Sequence, residues 1–266
     1  MAQREIWSTE KIRGLFDLTG KTAIVTGGSG AFGHDAAKAL AAYGANVVVT
    51  SRRVENLEAS AADIKETTGV DVLPVSCDCI DPQSVEDMVQ KTVDKFGKVD
   101  ILVTASGQAD RYAAEEFPID KWQMVMDSLV KGTYLCCQAA GKRMIAQGGG
   151  KIITIGSVRG EFGHPGGYSA YGTAKGAVHL LTKQLATEWA KHHINVNSIA
   201  PCIFWTPLTQ QVIDDPELKK IFLSRIPWGR VADPQDFIGA TIYLASAASD
   251  FVTGAILAID GGSTAG

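Results

Sequence analysis

Short apolar runs alternate along the chain with longer segments in which apolar residues recur every three or four positions. The short runs have the length of buried strands, and the longer segments have the period of amphipathic helices. The predicted strands are 21–26, 46–50, 71–77, 99–103, 151–157, 194–199 and 255–259. The predicted helices are 34–43, 54–68, one beginning at Asp81-Pro82, 121–147, one beginning near Tyr171, and 234–246. This alternation predicts an α/β fold with a doubly wound parallel sheet.

The pattern indicates a single domain with two accessory segments. Residues 1–17 mix polar and apolar side chains, and we interpret them as an N-terminal arm that packs on the domain or on a neighbouring molecule. Residues 18–266 form the predicted domain, and the stretch 207–230 within it is predicted to be a helical substrate lid. The length of 266 residues fits one large domain or two small ones, and no linker, repeat or low-complexity segment divides the chain.

Composition narrows the class of function. The net charge of −4 provides no basic footprint for nucleic acid. The sequence contains no secretory signal and no apolar run long enough to span a membrane, so we expect a cytoplasmic protein with no membrane partner. The cysteines do not have zinc-site spacing, so no metal is predicted, and reduced thiols are the simple interpretation. These cysteines are Cys77, Cys79, Cys136, Cys137 and Cys202.

A glycine-rich turn, Thr26-Gly-Gly-Ser-Gly-Ala-Phe-Gly33, joins the first predicted strand to the first predicted helix. Glycines permit a tight backbone and a close approach by a ligand, and the free N–H groups at the start of a helix favour a pyrophosphate. Strand, turn and helix together predict a dinucleotide site, the alternative being a plain tight turn. The predicted contacts within the turn are Gly27, Ser29, Gly30, Phe32 and Gly33.

The end of the second predicted strand indicates which dinucleotide binds. An acidic residue there would accept hydrogen bonds from the ribose 2′-hydroxyl and select NAD. This chain instead has Thr50-Ser51-Arg52-Arg53, without a carboxylate. A hydroxyl and a guanidinium suit a 2′-phosphate, so the sequence favours NADP(H), with Arg52 ahead of Arg53 as the main contact. The alternative is a pair of solvated surface arginines.

Three side chains farther along the chain suggest proton transfer. Tyr171 and Lys175 lie four residues apart at the start of a predicted helix, and therefore share one face. A nearby ammonium favours the phenolate, and we expect it to lower the Tyr171 pKa by about 1–3 units from about 10. Ser157 ends the strand before this helix. The alternative is an ordinary surface Tyr–Lys pair.

Taken together, these motifs resemble the short-chain dehydrogenase/reductase family over nearly all of the chain, from about Leu18 to Gly262. Tyr171-x-x-x-Lys175 follows a strand-ending serine and lies 145 residues after Thr26 of the glycine-rich turn. The segments 15–21 and 248–252 resemble the gluconate 5-dehydrogenase-like branch of the family.

The resemblance implies a Rossmann fold and hydride transfer between NADP(H) and a secondary alcohol/ketone pair. It implies that Tyr171 exchanges the proton, that Ser157 holds the reacting oxygen, and that Lys175 binds the nicotinamide ribose. It also implies a homotetramer joined through helices near 121–147 and 171–191. The further cofactor contacts that it implies are Asp78, Cys79, Ala105, Tyr171, Lys175, Phe204 and Thr206.

The chain departs from the family pattern at several positions near the cofactor. Ala31 replaces a glycine of the turn, Thr104 and Ala105 replace two amides, and Cys202 replaces a glycine. Leu129 stands where the family has an asparagine that holds a water in the proton relay. An alternative function is therefore a non-catalytic subunit that is a partner in a hetero-oligomer.

The substrate remains open at this point. The branch resemblance suggests a sugar acid or a polyol, whereas aromatic residues near the site suggest a bulkier apolar ketone. These aromatic residues are Phe162, Tyr168, Phe204 and Trp205. His164 either contacts the substrate or faces water.

Overall fold

The computed structural model describes residues 7–206 and 209–265. Within them, seven parallel strands form one sheet in the order β3-β2-β1-β4-β5-β6-β7. The strands are β1 Thr22–Thr26, β2 Asn46–Ser51, β3 Val72–Ser76, β4 Ile101–Thr104, β5 Gly150–Ile155, β6 Ile194–Pro201 and β7 Ile256–Ile259. The strand order reverses direction between β1 and β4, and ligands bind at the carboxyl ends of strands at such a point. The predicted doubly wound parallel sheet in a single domain is confirmed.

Helices cover both faces of the sheet. On one face, α2, α3 and α10 pack around Leu40, Leu57 and Phe237, and on the other face α4, α6 and α7 pack around Met88 and Met144. Central strands are therefore buried on both sides, as their continuous apolar runs require. The helices are α1 Thr9–Arg13, α2 Ala31–Ala42, α3 Val54–Thr68, α4 Pro82–Phe96, α5 Ile119–Met126, α6 Gly132–Gln147, α7 Ser169–Trp189, α8 Gln210–Asp214, α9 Pro216–Leu223 and α10 Pro234–Ala245.

Local sequence sets the ends of these helices. Asp81 caps α4 by accepting a hydrogen bond from the Gln83 backbone N–H at 3.1 Å, and Pro82 occupies the first helical position. Gly97 ends the same helix with a left-handed backbone, φ 82°. The helices α2 and α7 begin at Ala31 and Ser169, a few residues before the predicted His34 and Tyr171. The apolar periodicity becomes visible only a few residues after each start, so it places both starts too late.

The predicted long helix 121–147 is helical throughout, but one turn in its middle is not α-helical. A π-helical turn at Asp127–Lys131 separates α5 from α6. The turn buries Leu129 in a small cluster with Val125 and Ala174. It also directs the Ser128 hydroxyl to the Gln108 backbone N–H at 2.8 Å. A wide turn of this kind is frequent at functional sites, and this one lies beside the start of α7.

The two accessory segments are described in part. The arm contains α1, capped by Ser8, and a short 3-10 turn Gly14–Phe16 ahead of the buried Leu18. The predicted lid contains α8 and α9, while residues 1–6, 207 and 208 lie outside the described residues. The roles of arm and lid remain predictions. None of the described helices combines the length and apolar character needed to cross a bilayer.

Candidate active site

The predicted catalytic residues Ser157, Tyr171 and Lys175 meet at the carboxyl edge of the sheet. Ser157 caps the 3-10 turn Val158–Gly160 just after β5, and its Oγ accepts a hydrogen bond from the Arg159 N–H at 3.1 Å. Tyr171 and Lys175 lie in the first two turns of α7. The Ser157 hydroxyl favours the ionised Tyr171 phenol, and Lys175 Nζ lies 5.7 Å from the centroid of the Tyr171 ring. A proton donor, a hydroxyl and an ammonium therefore share one small region.

Lys175 is a buried ammonium held by the backbone. Only 7% of the residue is exposed, and its Nζ donates a hydrogen bond to the Ile155 carbonyl at 2.5 Å. Burial lowers the pKa of Lys175 to about 8. The side chain therefore still carries its charge at neutral pH, but at a cost in desolvation.

Tyr171 differs from the expectation that its pKa is lowered. Burial raises the pKa of Tyr171, although the hydrogen bond with Ser157 and the charges of Arg111 and Arg159 act in the opposite direction. The Lys175 ammonium is directed to a carbonyl and is not what governs the phenol. In this state Tyr171 is a neutral phenol at physiological pH, and such a group can donate a proton to a carbonyl oxygen.

The glycine-rich turn is tight enough to require its glycines. Gly27 has φ 67°, and a Cβ there would lie 2.8 Å from the Ala105 carbonyl oxygen. A Cβ at Gly33 would lie 2.2 Å from the Gly27 carbonyl oxygen. Gly30 is the N-cap of α2 and provides no side-chain cap, while Ser29 and Gly30 are exposed. This cradle fits a pyrophosphate at the helix N-terminus, and Ala31 is the first residue of that helix.

Two predicted aromatic contacts belong mainly to the core. The Phe32 and Phe204 rings pack edge to face with centroids 5.1 Å apart, and Phe32 also contacts Phe237 at 5.1 Å. Only 2% of Phe204 is exposed. Phe204 can therefore reach a cofactor only through its backbone. Thr206 follows it, with Oγ1 2.9 Å from the Thr209 Oγ1.

At the end of β2, the structure has the features expected for a 2′-phosphate. Arg52 and Arg53 are exposed, and neither forms an ion pair with a carboxylate among the described residues. The Ser51 hydroxyl donates to the Arg53 carbonyl at 3.0 Å, which fixes the bend of this loop. The donors available here are hydroxyl and guanidinium groups, which bind phosphate well.

The remaining predicted contacts lie after β3 and β4. Ser106 Oγ approaches Cys79 Sγ at 3.4 Å, and Thr26 Oγ1 approaches Ser106 Oγ at 3.0 Å. Asp78 donates its backbone N–H to Ser84 Oγ at 3.0 Å, and Ala105 is half-buried beside Gly27. Small hydroxyl and thiol groups therefore join the ends of β1, β3 and β4.

Three arginines lie near Tyr171 on segments outside the helix that carries it. Arg111 Cζ lies 4.6 Å and Arg159 Cζ 5.6 Å from the centroid of the Tyr168 ring. The Tyr168 ring is 6.0 Å from the Tyr171 ring. Arg225, after α9, contributes to the same positive field, because it lowers the pKa of Arg159. None of the three arginines pairs with a carboxylate among the described residues.

A cavity of about 610 Å³ adjoins these arginines. Arg159, Phe162, His164 and Tyr168 line it, whereas Ser157, Tyr171 and Lys175 do not. The His164 ring stacks on Phe222 at 5.8 Å, and burial together with the three arginines lowers the pKa of His164 to about 4. His164 is therefore neutral at physiological pH, in a pocket whose charge is positive.

A family model described as enoyl-(acyl carrier protein) reductase matches residues 28–264. The chain is 40% identical to 2-dehydro-3-deoxy-D-gluconate 5-dehydrogenase of Dickeya dadantii, over 94% of this chain and 98% of that protein. It is 37% identical to gluconate 5-dehydrogenase of Gluconobacter oxydans, over 94% and 97% of the two chains. A solved gluconate 5-dehydrogenase of Burkholderia cenocepacia, in complex with NADP and tartrate, is 34% identical, with a TM-score of 0.90 over 95% and 98% of the chains.

This chain belongs to the short-chain dehydrogenase/reductase family. The resemblance to that family and to its gluconate 5-dehydrogenase-like branch is confirmed, and so is the prediction of an oxidoreductase enzyme. The comparisons give no support to the non-catalytic alternative, and the three predicted catalytic side chains lie together among the described residues.

The departure at Leu129 is a structural feature of this dehydrogenase/reductase. The residue is 5% exposed, and a Cβ at Gly107 would lie 2.2 Å from its Cδ2. A hydrophobic contact therefore fills the place of the expected amide, and the neighbouring Ser128 hydroxyl is already engaged by Gln108.

Sequence reasoning missed Arg111, Arg225 and the buried His179. It gave Arg159 no role either. The available signal for Arg111 was its position on the loop after a predicted strand, where functional residues concentrate. His179 gave no signal, because a histidine on the inward face of a helix is usually a core residue.

Proposed function

We propose that this dehydrogenase/reductase transfers a hydride between NADP(H) and a secondary alcohol/ketone pair in a substrate that also bears a carboxylate, such as a sugar acid. The relatives named above act on gluconate-type compounds, and one of them is solved with NADP and tartrate, which is a hydroxy acid. The exposed Arg52 and Arg53, with Ser51, support NADP(H) as the cofactor of this chain.

The side chains have distinct proposed roles. The nicotinamide supplies or accepts the hydride. Tyr171, a neutral phenol, donates a proton to the ketone oxygen during reduction and accepts it from the alcohol during oxidation. Ser157 Oγ holds that same oxygen. Lys175 donates a hydrogen bond to the nicotinamide ribose, and its ammonium charge favours the Tyr171 phenolate that remains after the proton is transferred.

The observation that carries the substrate class is the group of three arginines, of which Arg111 and Arg159 lie over Tyr168 and Arg225 acts on Arg159 and His164. A positive charge placed near a half-buried aromatic surface without a carboxylate partner suits an anionic ligand better than an apolar ketone. Arg159 is half-buried, so its interaction with a carboxylate is screened less than that of a fully exposed arginine.

A matched pair of substrates tests this proposal. We expect NADPH consumption with a ketogluconate to exceed that with an uncharged ketohexose of the same carbon number. Arg159→Gln should raise the KM for the ketogluconate by about 10- to 100-fold, the value of a lost charge-assisted hydrogen bond. The KM for the ketohexose should change little.

Arg143→Gln is the control, because the Arg143 guanidinium donates to the Gly97 carbonyl far from this loop. Preference of the wild-type enzyme for the ketohexose or for an apolar ketone would overturn the substrate class. An equal effect of Arg159→Gln on both substrates would do the same.

We also propose a homotetramer that works in the cytoplasm. Large apolar side chains are exposed on α5, α6 and α7, including Ile119 at 78% and Leu180 at 62%, and burial between subunits would remove them from water. The described cysteines are free thiols, which supports a reducing compartment. Light scattering that gives the mass of a monomer would contradict the tetramer.

A further inference from the structure

His179 is a buried imidazole on the catalytic helix that the proposed reaction does not use. It lies one turn after Lys175 on α7, and 5% of the residue is exposed. Its Nε2 accepts a hydrogen bond from the backbone N–H of Ser157 at 3.4 Å. This bond connects the catalytic serine, after β5, to the helix that carries Tyr171 and Lys175.

Two glycines make room for the ring. A Cβ at Gly156 would lie 2.2 Å from His179 Nε2, and a Cβ at Gly160 would lie 2.8 Å from Cε1. These glycines flank Ser157 on the segment that turns from β5 into the 3-10 turn. The imidazole is therefore enclosed by the same backbone whose position it fixes.

The hydrogen-bond direction determines the tautomer. Because Ser157 N–H is the donor, Nε2 must carry a lone pair, and the ring proton must lie on Nδ1. Glu161 Oε1 lies 3.8 Å from Nδ1 and favours a proton there. The Glu161 carboxylate, the His179 imidazole and the Ser157 backbone amide therefore lie side by side in that order.

We infer that His179 is a positioning residue: in its neutral Nδ1–H form it holds the backbone of Ser157 so that Oγ faces the oxygen that reacts at Tyr171. Two other bonds of Ser157 are local, since its Oγ accepts from Arg159 N–H and its carbonyl accepts from Gly160 N–H at 2.9 Å. Its hydroxyl also interacts with Tyr171, but the His179 bond is the one that joins the Ser157 backbone to the helix of its catalytic partners. The inference rests on the proposed proton-transfer role of Ser157 and Tyr171.

Protonation of His179 would break its hydrogen bond to the Ser157 backbone. An imidazolium presents N–H at Nε2 and would face the Ser157 N–H, donor against donor. The charged groups around it are Glu161, which raises its pKa, and Lys175 and Lys183, which lower it. Burial also lowers the pKa of His179, so the neutral form is kept at physiological pH. The polar neighbour on β6, Ser198, does not ionise in this range.

A double-mutant cycle in the full-length enzyme tests this role. His179→Leu removes the acceptor and should lower kcat about tenfold, the effect of an unsatisfied buried donor, while NADP(H) affinity is unchanged. His179→Gln retains an acceptor and should recover most of the loss. In a Ser157→Ala background, His179→Leu should have almost no further effect on kcat. Thr182→Val, a buried polar change on the same helix that does not contact Ser157, should leave kcat unchanged.

Two further measurements separate this role from a purely structural one. Glu161→Gln removes the group that raises the His179 pKa, so any acid-side loss of kcat that depends on His179 should move to lower pH. In the wild-type enzyme, the nitrogen chemical shifts of the histidines should show that His179 is the Nδ1–H tautomer at neutral pH.

Independent, multiplicative losses from His179→Leu and Ser157→Ala would overturn the inference, and so would an Nε2–H tautomer or an imidazolium at His179. If the wild type turned over no carbonyl compound with NADPH, the proposed function would fail instead, and the tautomer measurement would still decide the position of the proton.

Discussion

Positive charge reaches Tyr171 from two regions that are built in opposite ways. On the sheet side, Lys175 is buried, has its pKa lowered to about 8, and is fixed by the Ile155 carbonyl. On the loop side, Arg111 and Arg225 are exposed and Arg159 is half-buried. The first region lies on a strand end and a helix, and the second on loops that meet over the Tyr168 ring.

The difference indicates a division of labour. A buried ammonium beside a carbonyl cannot move toward ligands of different shape, so it suits a fixed step that every substrate shares. Guanidinium groups that stack on an aromatic ring without a carboxylate partner are available to a ligand anion. We propose that the buried side serves the chemistry and the open side serves substrate selection.

The largest expected effect comes from removing the proton donor between the two regions. Tyr171→Phe deletes only the phenol oxygen and should lower kcat by about 10²- to 10⁴-fold, the usual contribution of a general acid or base. Titration of NADPH by intrinsic tryptophan fluorescence should show unchanged affinity. Unchanged turnover would show that Tyr171 is not the proton donor between the two regions.

The next prediction concerns stability and addresses the buried region alone. Lys175→Met should stabilise the cofactor-free protein at pH 7 by up to about 3 kcal/mol, because one pKa unit corresponds to about 1.4 kcal/mol. The Lys175 pKa is lowered from 10.5 to about 8 on folding. The wild-type protein therefore binds fewer protons when folded than when unfolded between these values, and its stability rises with pH across that window.

The advantage of Lys175→Met should accordingly be complete below pH 8 and shrink as the pH approaches 10.5. Urea unfolding at several pH values measures it. Lys183→Met, at an exposed position on the same helix, is the control and should change stability little. A loss of stability in Lys175→Met at pH 7 would show that the bond to Ile155 outweighs the desolvation of the ammonium.

The buried region was predictable from sequence and the open region was not. Alternating runs predicted the sheet, and the motif spacing predicted that Ser157, Tyr171 and Lys175 come together beside the end of a strand. Local patterns determine both, because strand ends and helix starts are encoded within a few residues. The raised pKa of Tyr171 could not be predicted, since it depends on how deeply the whole fold buries the ring.

The three arginines show most clearly what could not be predicted from the sequence. Arg111, Arg159 and Arg225 are far apart in the chain and come together only because their loops pack around Tyr168 and His164. The π-helical turn at Asp127–Lys131 is hidden for a similar reason, since the apolar period of 121–147 continues through it. Long-range packing, which no local pattern records, determines both features.

The smallest expected effect tests a third positive site, at the end of β2. Arg52 is exposed, like Arg111, but it is predicted to bind the 2′-phosphate of NADP(H) rather than the substrate. Exposed ion pairs contribute about 0.2–1 kcal/mol, so Arg52→Ala should reduce the preference for NADPH over NADH by only about two- to fivefold. Arg53→Ala should reduce it less. Because solvent and salt screen such a pair, the loss should be smaller still at high ionic strength.

Fluorescence titration of each variant with both cofactors measures the ratio of the two affinities directly. Preference of the wild-type enzyme for NADH would show that Ser51, Arg52 and Arg53 do not select the cofactor, and would confine the functional arginines to the loops around Tyr168.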